Sequence, residues 1–150
     1  MIKNYTSNSS TTFEKIQKIL IAHKAKSILF DYDEQGRIKS LSFILEVKGN
    51  NVVFQLPARI EKVEQLFLAN KKPRYDWQKP TPLTQDQKDQ AYRTAWANIR
   101  DWLDAQMALI DTEQVKVEEV FLPYAVDRNG KTFFEVMDNK GFQLEEGVVE

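Results

Sequence analysis

Cysteine is absent from the 150 residues, which excludes disulfide staples, thiolate metal sites and cysteine nucleophiles. Histidine occurs once, at His23, so a multi-histidine metal centre has no ligands to draw on. The five glycines, at 36, 49, 130, 141 and 147, stand singly in apparent turns or near the end, and neither GxGxxG nor a P-loop can be assembled from them. Hydroxyls are plentiful, yet no GxSxG elbow accompanies them. No apolar run nears the roughly 18–20 residues that a membrane span requires, and the opening MIKNYTSNSS is polar, unlike a signal peptide. We therefore expect a non-enzymatic protein with no catalytic residues, cofactor, metal or membrane partner, in a cytoplasmic setting.

What is present is an ordinary globular composition, 42% hydrophobic and 29% charged, too apolar for a disordered chain. The net charge of −1 hides an asymmetry. Residues 1–79 hold 14 Lys/Arg against 8 Asp/Glu, and residues 80–150 hold 7 against 14. Either the basic half meets an anionic partner, or the two halves pack with complementary surfaces.

The periodicity predicts an α+β fold. A polar, flexible arm over 1–10 precedes the capping-box pattern Thr11-x-x-Glu14 and a helix with Phe13, Ile16, Ile19 and Leu20 on one face. Three alternating segments follow, Ser27–Tyr32, Ile38–Lys48 and Val52–Leu56, joined by DEQG and KGNN, which read as a three-stranded antiparallel meander. Pro57 suits the first turn of a second helix, stopped at Pro73. Residues 11–72 thus form an α-β-β-β-α unit. Residues 73–83 are a Pro-rich connector, and Thr84-x-x-Gln87 opens a long amphipathic helix to about Asp111. A short helix, a hairpin around DRNG and an acidic tail over 139–150 complete the chain, with 84–138 packed on the same domain.

The long helix spreads its apolar residues, among them Tyr92, Trp96, Trp102 and Met107, over an arc wider than one sheet face requires. Leu29, Ile44 and Val53 fall on the outer face of the predicted sheet, where aliphatics mark a covered or partner-binding surface. Arg93 and Arg100 border the helix arc, with Asp89 and Asp104 at i,i+4 partner positions. Together these are the candidate contacts to a second subunit or a host protein.

The stretch KKPRYDWQKPTP supplies the other candidate site. Lys71, Lys72, Arg74 and Lys79 can hold phosphates while Tyr75 and Trp77 stack on bases, the combination that single-stranded nucleic-acid binders use. Its prolines equally suit a plain connector. Asp31, Glu46 and Lys48 match, in residue type, the Asp and ExK of metal-dependent nucleases. A two-residue turn at DEQG, however, would leave Glu46 about 26 Å from Asp31 at ~3.3 Å per residue, too far to share one ion. The order helix–three strands–helix resembles a double-stranded-RNA-binding domain in outline. Here, though, Glu61 and Glu64 interrupt the basic residues Arg59 and Lys62 of the second helix.

The run AYRTAWANIRDWLDAQMALIDTEQVKVEEVFLPYAVDRNGKTFFE resembles a family of small phage and prophage-type proteins. Their chains carry a similar R-x-A-W-x-x-I-x-D-W-x-x-A-Q-x-A-L-I helix, then V-F-L-P-Y and a G-K-T hairpin. Arg93, Trp96, Ile99, Asp101, Trp102, Gln106, Leu109 and Ile110 match it, and the likeness extends more weakly over the strands. The resemblance implies a context rather than a reaction: small accessory proteins of mobile elements serve DNA replication and recombination, or counter host defences. The ExK lies outside the shared pattern.

Overall fold

Alternation of apolar and polar residues between Ser27 and Pro57 is what builds the sheet. The computed structural model describes residues 2–71, 75, 77, 79 and 81–144, and side chains from residue 11 onward. Helix α1 (Ile2–Ala22) leads into strands β1 (Ser27–Tyr32), β2 (Ile38–Val47) and β3 (Asn50–Pro57). Helices α2 (Ile60–Asn70), α3 (Gln85–Asp111) and α4 (Val117–Phe121), a 3-10 turn (Leu122–Tyr124) and α5 (Phe133–Asn139) follow. The strands form one antiparallel sheet in the order β1-β2-β3. The α+β class, the meander and the long helix are as the sequence predicts.

The turns set the register. Between β2 and β3, Val47 pairs with Asn50, leaving Lys48 and Gly49 as a two-residue loop with both φ positive, 51° and 83°. That geometry matches the right-handed twist of the strands. The β1–β2 loop is longer than a two-residue turn. Asp33 Oδ1 accepts the backbone N–H of Gln35 and of Arg37, both at 2.9 Å, and Asp33 N–H donates to the Arg37 carbonyl at 2.8 Å. The longer loop shifts the register by one, so Tyr32 faces Ile38, and a further slip of one in β2 sets Asp31 opposite Ser40 rather than Ile38.

The register then slips. Asp31 pairs with Ser40 but Tyr32 pairs with Ile38, so Lys39 is an extra residue in β2. Such a bulge reverses the alternation. Ile38 turns inward with Leu41, both buried, whereas Tyr32, which strict alternation places inward, is 60% exposed. Helix α3 fastens this spot. The Ile38 N–H donates to the Tyr92 hydroxyl at 3.0 Å, and Trp96 Nε1–H donates to the Ile38 carbonyl at 2.9 Å, both in buried surroundings. One turn earlier Asp89 takes the Arg37 guanidinium in a salt bridge, and Arg37 also lies over the Tyr92 ring, 5.4 Å from its centroid. Asp89, Tyr92 and Trp96 share one helix face by their i, i+3, i+7 spacing.

Thr84 starts α3 with a complete capping box. Its hydroxyl accepts Gln87 N–H at 3.2 Å, and Gln87 Oε1 accepts Thr84 N–H at 2.9 Å. The 27-residue helix is about 40 Å long at 1.5 Å per residue. Helix α1 runs parallel to it with a constant offset: Thr12 meets Arg100 and His23 meets Asp111, each 88 positions apart. The core fills the space between these helices and the sheet with Ile16, Leu20, Leu41, Phe43, Phe54, Trp96, Leu103 and Met107, all under 3% exposed. Phe13 meets Phe30 and Trp96 edge-on, at 5.4 and 5.1 Å between ring centroids.

Helix α4 is only five residues long, too short to stand on propensity. It is held by Phe121, fully buried against Phe43 and Phe54 at 5.5 and 5.7 Å. The chain then closes the open edge of β3. Ala125 bridges to Phe54 and Val126 N–H donates to the Val53 carbonyl at 2.9 Å. Among the described residues β1 has no such cover, its only strand partner being β2.

Several boundaries differ from the sequence reading. Of the arm expected over residues 1–10, residues 2–10 are instead the first turns of α1. Ser, Thr and Asn are only a few tenths of a kcal/mol poorer than average in a helix, and no Gly or Pro interrupts the stretch. Thr11-x-x-Glu14 therefore lies inside the helix. Pro57 ends β3 instead of opening α2, and Arg59, in the left-handed region at φ 47°, precedes Ile60. The DRNG turn is present, closed by the bridge Val126–Thr132, but the chain continues as α5 rather than a second strand. Thr132 and Glu135 form a capping box there. Residues 145–150 of the acidic tail lie outside the described residues.

Replacing Tyr92 by Phe keeps the ring but strands the buried Ile38 N–H. We expect Tyr92→Phe to lose about 1–3 kcal/mol of unfolding free energy in urea titration, while the exposed Tyr32→Phe stays within about 0.5 kcal/mol of the parent.

Candidate functional site

The loop between α2 and α3 is tied at both ends by one side chain. Lys71 Nζ donates to the Pro82 carbonyl at 2.8 Å and to Gln87 Oε1 at 3.1 Å, the same oxygen that closes the α3 capping box. Lys71 thus anchors the loop and is half-buried. Compact loops with their ends drawn together are frequent carriers of function. Outside this tie stand Tyr75, 48% exposed, and Trp77, 79% exposed. Their rings stack face to face, 5.4 Å between centroids and 5° from parallel. Lys79 is exposed beside them in sequence. Lys72 and Arg74 lie outside the described residues.

The other predicted contacts are dispersed. Leu29 (58% exposed) and Val53 (39%) stand on the outer face of the sheet with the half-buried Ile44 between their strands. Asp31, Ser40 and Gln55 continue that face as a polar chain. Ser40 Oγ–H donates to Asp31 Oδ2 at 2.8 Å and accepts from Gln55 Nε2 at 3.5 Å. The broad arc of α3 is not a free surface: Tyr92, Ala95, Trp96, Leu103 and Met107 are buried in the core, because α3 packs against α1, α2 and the sheet together. Arg93 and Arg100 remain at its border, with partners other than those the spacing predicts. Asp89 pairs with Arg37 instead of Arg93, which donates to Gln90 Oε1 at 2.6 Å. Arg100 Nε donates to Asp101 at 2.9 Å instead of meeting Asp104, and its guanidinium holds the Asp101 carboxyl below its ordinary range.

A cleft of about 670 Å³ opens where the end of β3 meets α3 and the 123–135 segment. Sequence reasoning missed it because three distant stretches build it: Trp102, Tyr124 and Phe134 on its walls and Arg59 at its rim, the guanidinium 5.8 Å from the Phe134 ring centroid. Its two buried hydroxyls are already used, Ser40 as above and Thr132 in the α5 cap. Orienting a ligand takes a few placed polar groups, and these are committed to the fold.

Asp31 and Glu46 do not converge. Even with the corrected register Glu46 lies six residues along β2 from the partner of Asp31, about 20 Å away at ~3.3 Å per residue. Glu46 pairs with Lys26 at 3.6 Å, and Lys48 occupies the hairpin turn. Among the described residues no group of three or more His, Asp or Glu side chains could hold a metal, and no helix is long and apolar enough to cross a membrane.

His23 joins the C-terminal ends of the two parallel helices. Its Nδ1 lies 2.7 Å from the Ile19 carbonyl, and Nε2 lies 3.0 Å from both carboxylate oxygens of Asp111. Both partners accept, so both ring nitrogens are best satisfied as donors in the imidazolium. Each helix end also carries about half a negative charge. Partial burial acts to lower the pKa, but the Ile19 carbonyl and Asp111, with Asp104 beyond, hold it above the ordinary 6.5.

Compared with protein-family models, curated proteins and solved structures, the chain matches none.

The raised folded pKa fixes the sign of one pH effect. Its stabilisation is complete below the unfolded value of about 6.5 and is lost as pH rises through the folded value. The thermal midpoint of the parent should exceed that of His23→Gln at acidic pH, the gap closing as the pH is raised. A gap that widens with pH would contradict the assignment.

Proposed function

We propose that this chain is a non-enzymatic accessory protein of a phage or other mobile element that binds single-stranded nucleic acid through the loop between α2 and α3. The observation that carries the reading is the parallel-stacked, exposed pair Tyr75–Trp77. Trp77, largely exposed, and Tyr75, half-exposed, give up burial that a core would provide, and the outer face of the stack offers what an unpaired base needs. Lys79, with Lys72 and Arg74 in the same stretch of sequence, adds the cations that a phosphodiester backbone requires. The resemblance of the α3 segment to phage proteins supplies the biological context.

Binding by such a loop is tolerant of sequence and sensitive to salt. With three or four phosphates neutralised, the logarithm of the binding constant should fall against log salt with a slope of about −2 to −3. Trp77→Ala should weaken binding of a short oligothymidylate by about 1–3 kcal/mol for the stacked base, read by fluorescence anisotropy. An unchanged affinity in that variant, or no retention of the parent at low salt, would remove the reading.

A second reading is a protein-interaction module, homo-oligomer or binder of a host protein. It rests on Leu29 of β1 and Val53 of β3, both exposed on the outer face of the sheet, and on β1, whose only strand partner among the described residues is β2. Sedimentation equilibrium of the parent and of Leu29→Lys distinguishes it: a self-associating face gives an oligomer that the charge disperses.

A further inference from the structure

We propose that the groove between α1 and α3 is a binding site for a phosphate-class oxyanion, separate from the loop that carries Tyr75 and Trp77. The α3 sequence builds its floor. Gln90, Arg93, Ala97 and Arg100 follow one another at spacings of three and four and so fall on one stripe of the helix. Ala97, the smallest of them, leaves room between the two arginines. Thr12 of α1 and Thr94 complete the walls of a groove of about 410 Å³.

Its chemistry is one-sided. Its described lining offers guanidinium, hydroxyl and amide groups and no carboxylate. The nine residues of α1 that precede Thr11 contain neither Asp nor Glu in sequence. Asp101, the one acid bonded to Arg100 among the described residues, holds only its Nε. On the groove side Arg100 Nη1 reaches Thr12 Oγ1 at 3.5 Å, the outer limit of a hydrogen bond. A guanidinium carries five N–H donors, and among the described residues those two contacts leave most of them unspent on a side chain that is only 27% exposed. Partly desolvated donors of this kind bind a tetrahedral oxyanion through paired, charge-assisted hydrogen bonds. Arg93 stands two helical turns away, about 10.5 Å along the axis, and its long side chain reaches toward the same space. Gln90 braces it at 2.6 Å, so less side-chain freedom is lost when a ligand arrives.

The shared chemistry is the phosphate group, whether inorganic phosphate or the phosphodiester of a nucleic acid. The test is a two-dimensional NMR titration of the intact chain, following the Arg93 and Arg100 Nε–Hε signals and the Thr94 amide. Inorganic phosphate should move these signals along a saturating curve, and sodium chloride at equal ionic strength should not. Arg100→Gln should weaken the phosphate constant at least tenfold, and Arg93→Gln together with Arg100→Gln should abolish it. An oligothymidylate that moves the same signals identifies the phosphodiester as the ligand; one that leaves them unmoved while phosphate saturates identifies the free anion. Both results uphold the site. Equal shifts with chloride, no saturation in the parent, or undiminished phosphate binding in the double variant would overturn it. The parent titration stands even if a variant fails to fold. Trp77→Ala separates the two assignments, since it should lower oligonucleotide affinity and leave phosphate titration of the groove unchanged.

Discussion

The fold turns on the backbone of one residue. The bulge at Lys39 turns Ile38 inward at the start of β2, where its N–H and carbonyl bond to Tyr92 and Trp96. Unpaired buried backbone groups each cost on the order of 1–3 kcal/mol, so these two aromatics carry more than packing. Their hydrogen bonds fix both the rotation and the axial position of α3 against the sheet. Since α1 follows α3 at a constant offset, and Phe13 of α1 meets Trp96, the position of the second helix depends on the same clamp. The Arg37–Asp89 pair at the edge of the clamp sets its orientation before the helix turns into the core.

Much of this architecture was legible in the sequence, and the exceptions have physical causes. Thr84 and Gln87 announce α3 because a capping box satisfies free helix-start N–H groups with local chemistry alone. Thr132 and Glu135 carry the same pattern, yet FFEV also reads as a strand, and the cap decides in favour of helix. The turns at DEQGR and DRNGK share one bonding scheme, an aspartate whose Oδ1 accepts two backbone N–H groups before a glycine at positive φ. That repeat is visible in sequence, although the register it imposes is not. The bulge at Lys39 is invisible there because it answers to α3, some fifty residues further on.

The candidate sites divide along the same line. Residues close together in sequence, such as Tyr75, Trp77 and Lys79, can be grouped by reading alone, and the structure adds that the two rings stack. The groove of Arg93 and Arg100 needed the partner helix: in sequence these residues form a charged flank with acids at i,i+4, whereas in space Asp89 is turned toward Arg37. The apolar arc of α3 shows the converse. Its breadth reads as a surface awaiting a partner, and the partners are α1, α2 and the sheet of the same chain.

The Lys71 tie has a consequence for how this chain can change. Closing a loop costs entropy that grows only slowly with length, about 0.6 kcal/mol for each doubling, and here the closure is made at the base by one ammonium group on Pro82 and Gln87. Residues between the tied ends can therefore be exchanged, lengthened or shortened with little effect on the core. If the loop binds as proposed, it is a cassette whose preference can change from one variant to the next while the scaffold beneath it keeps its shape.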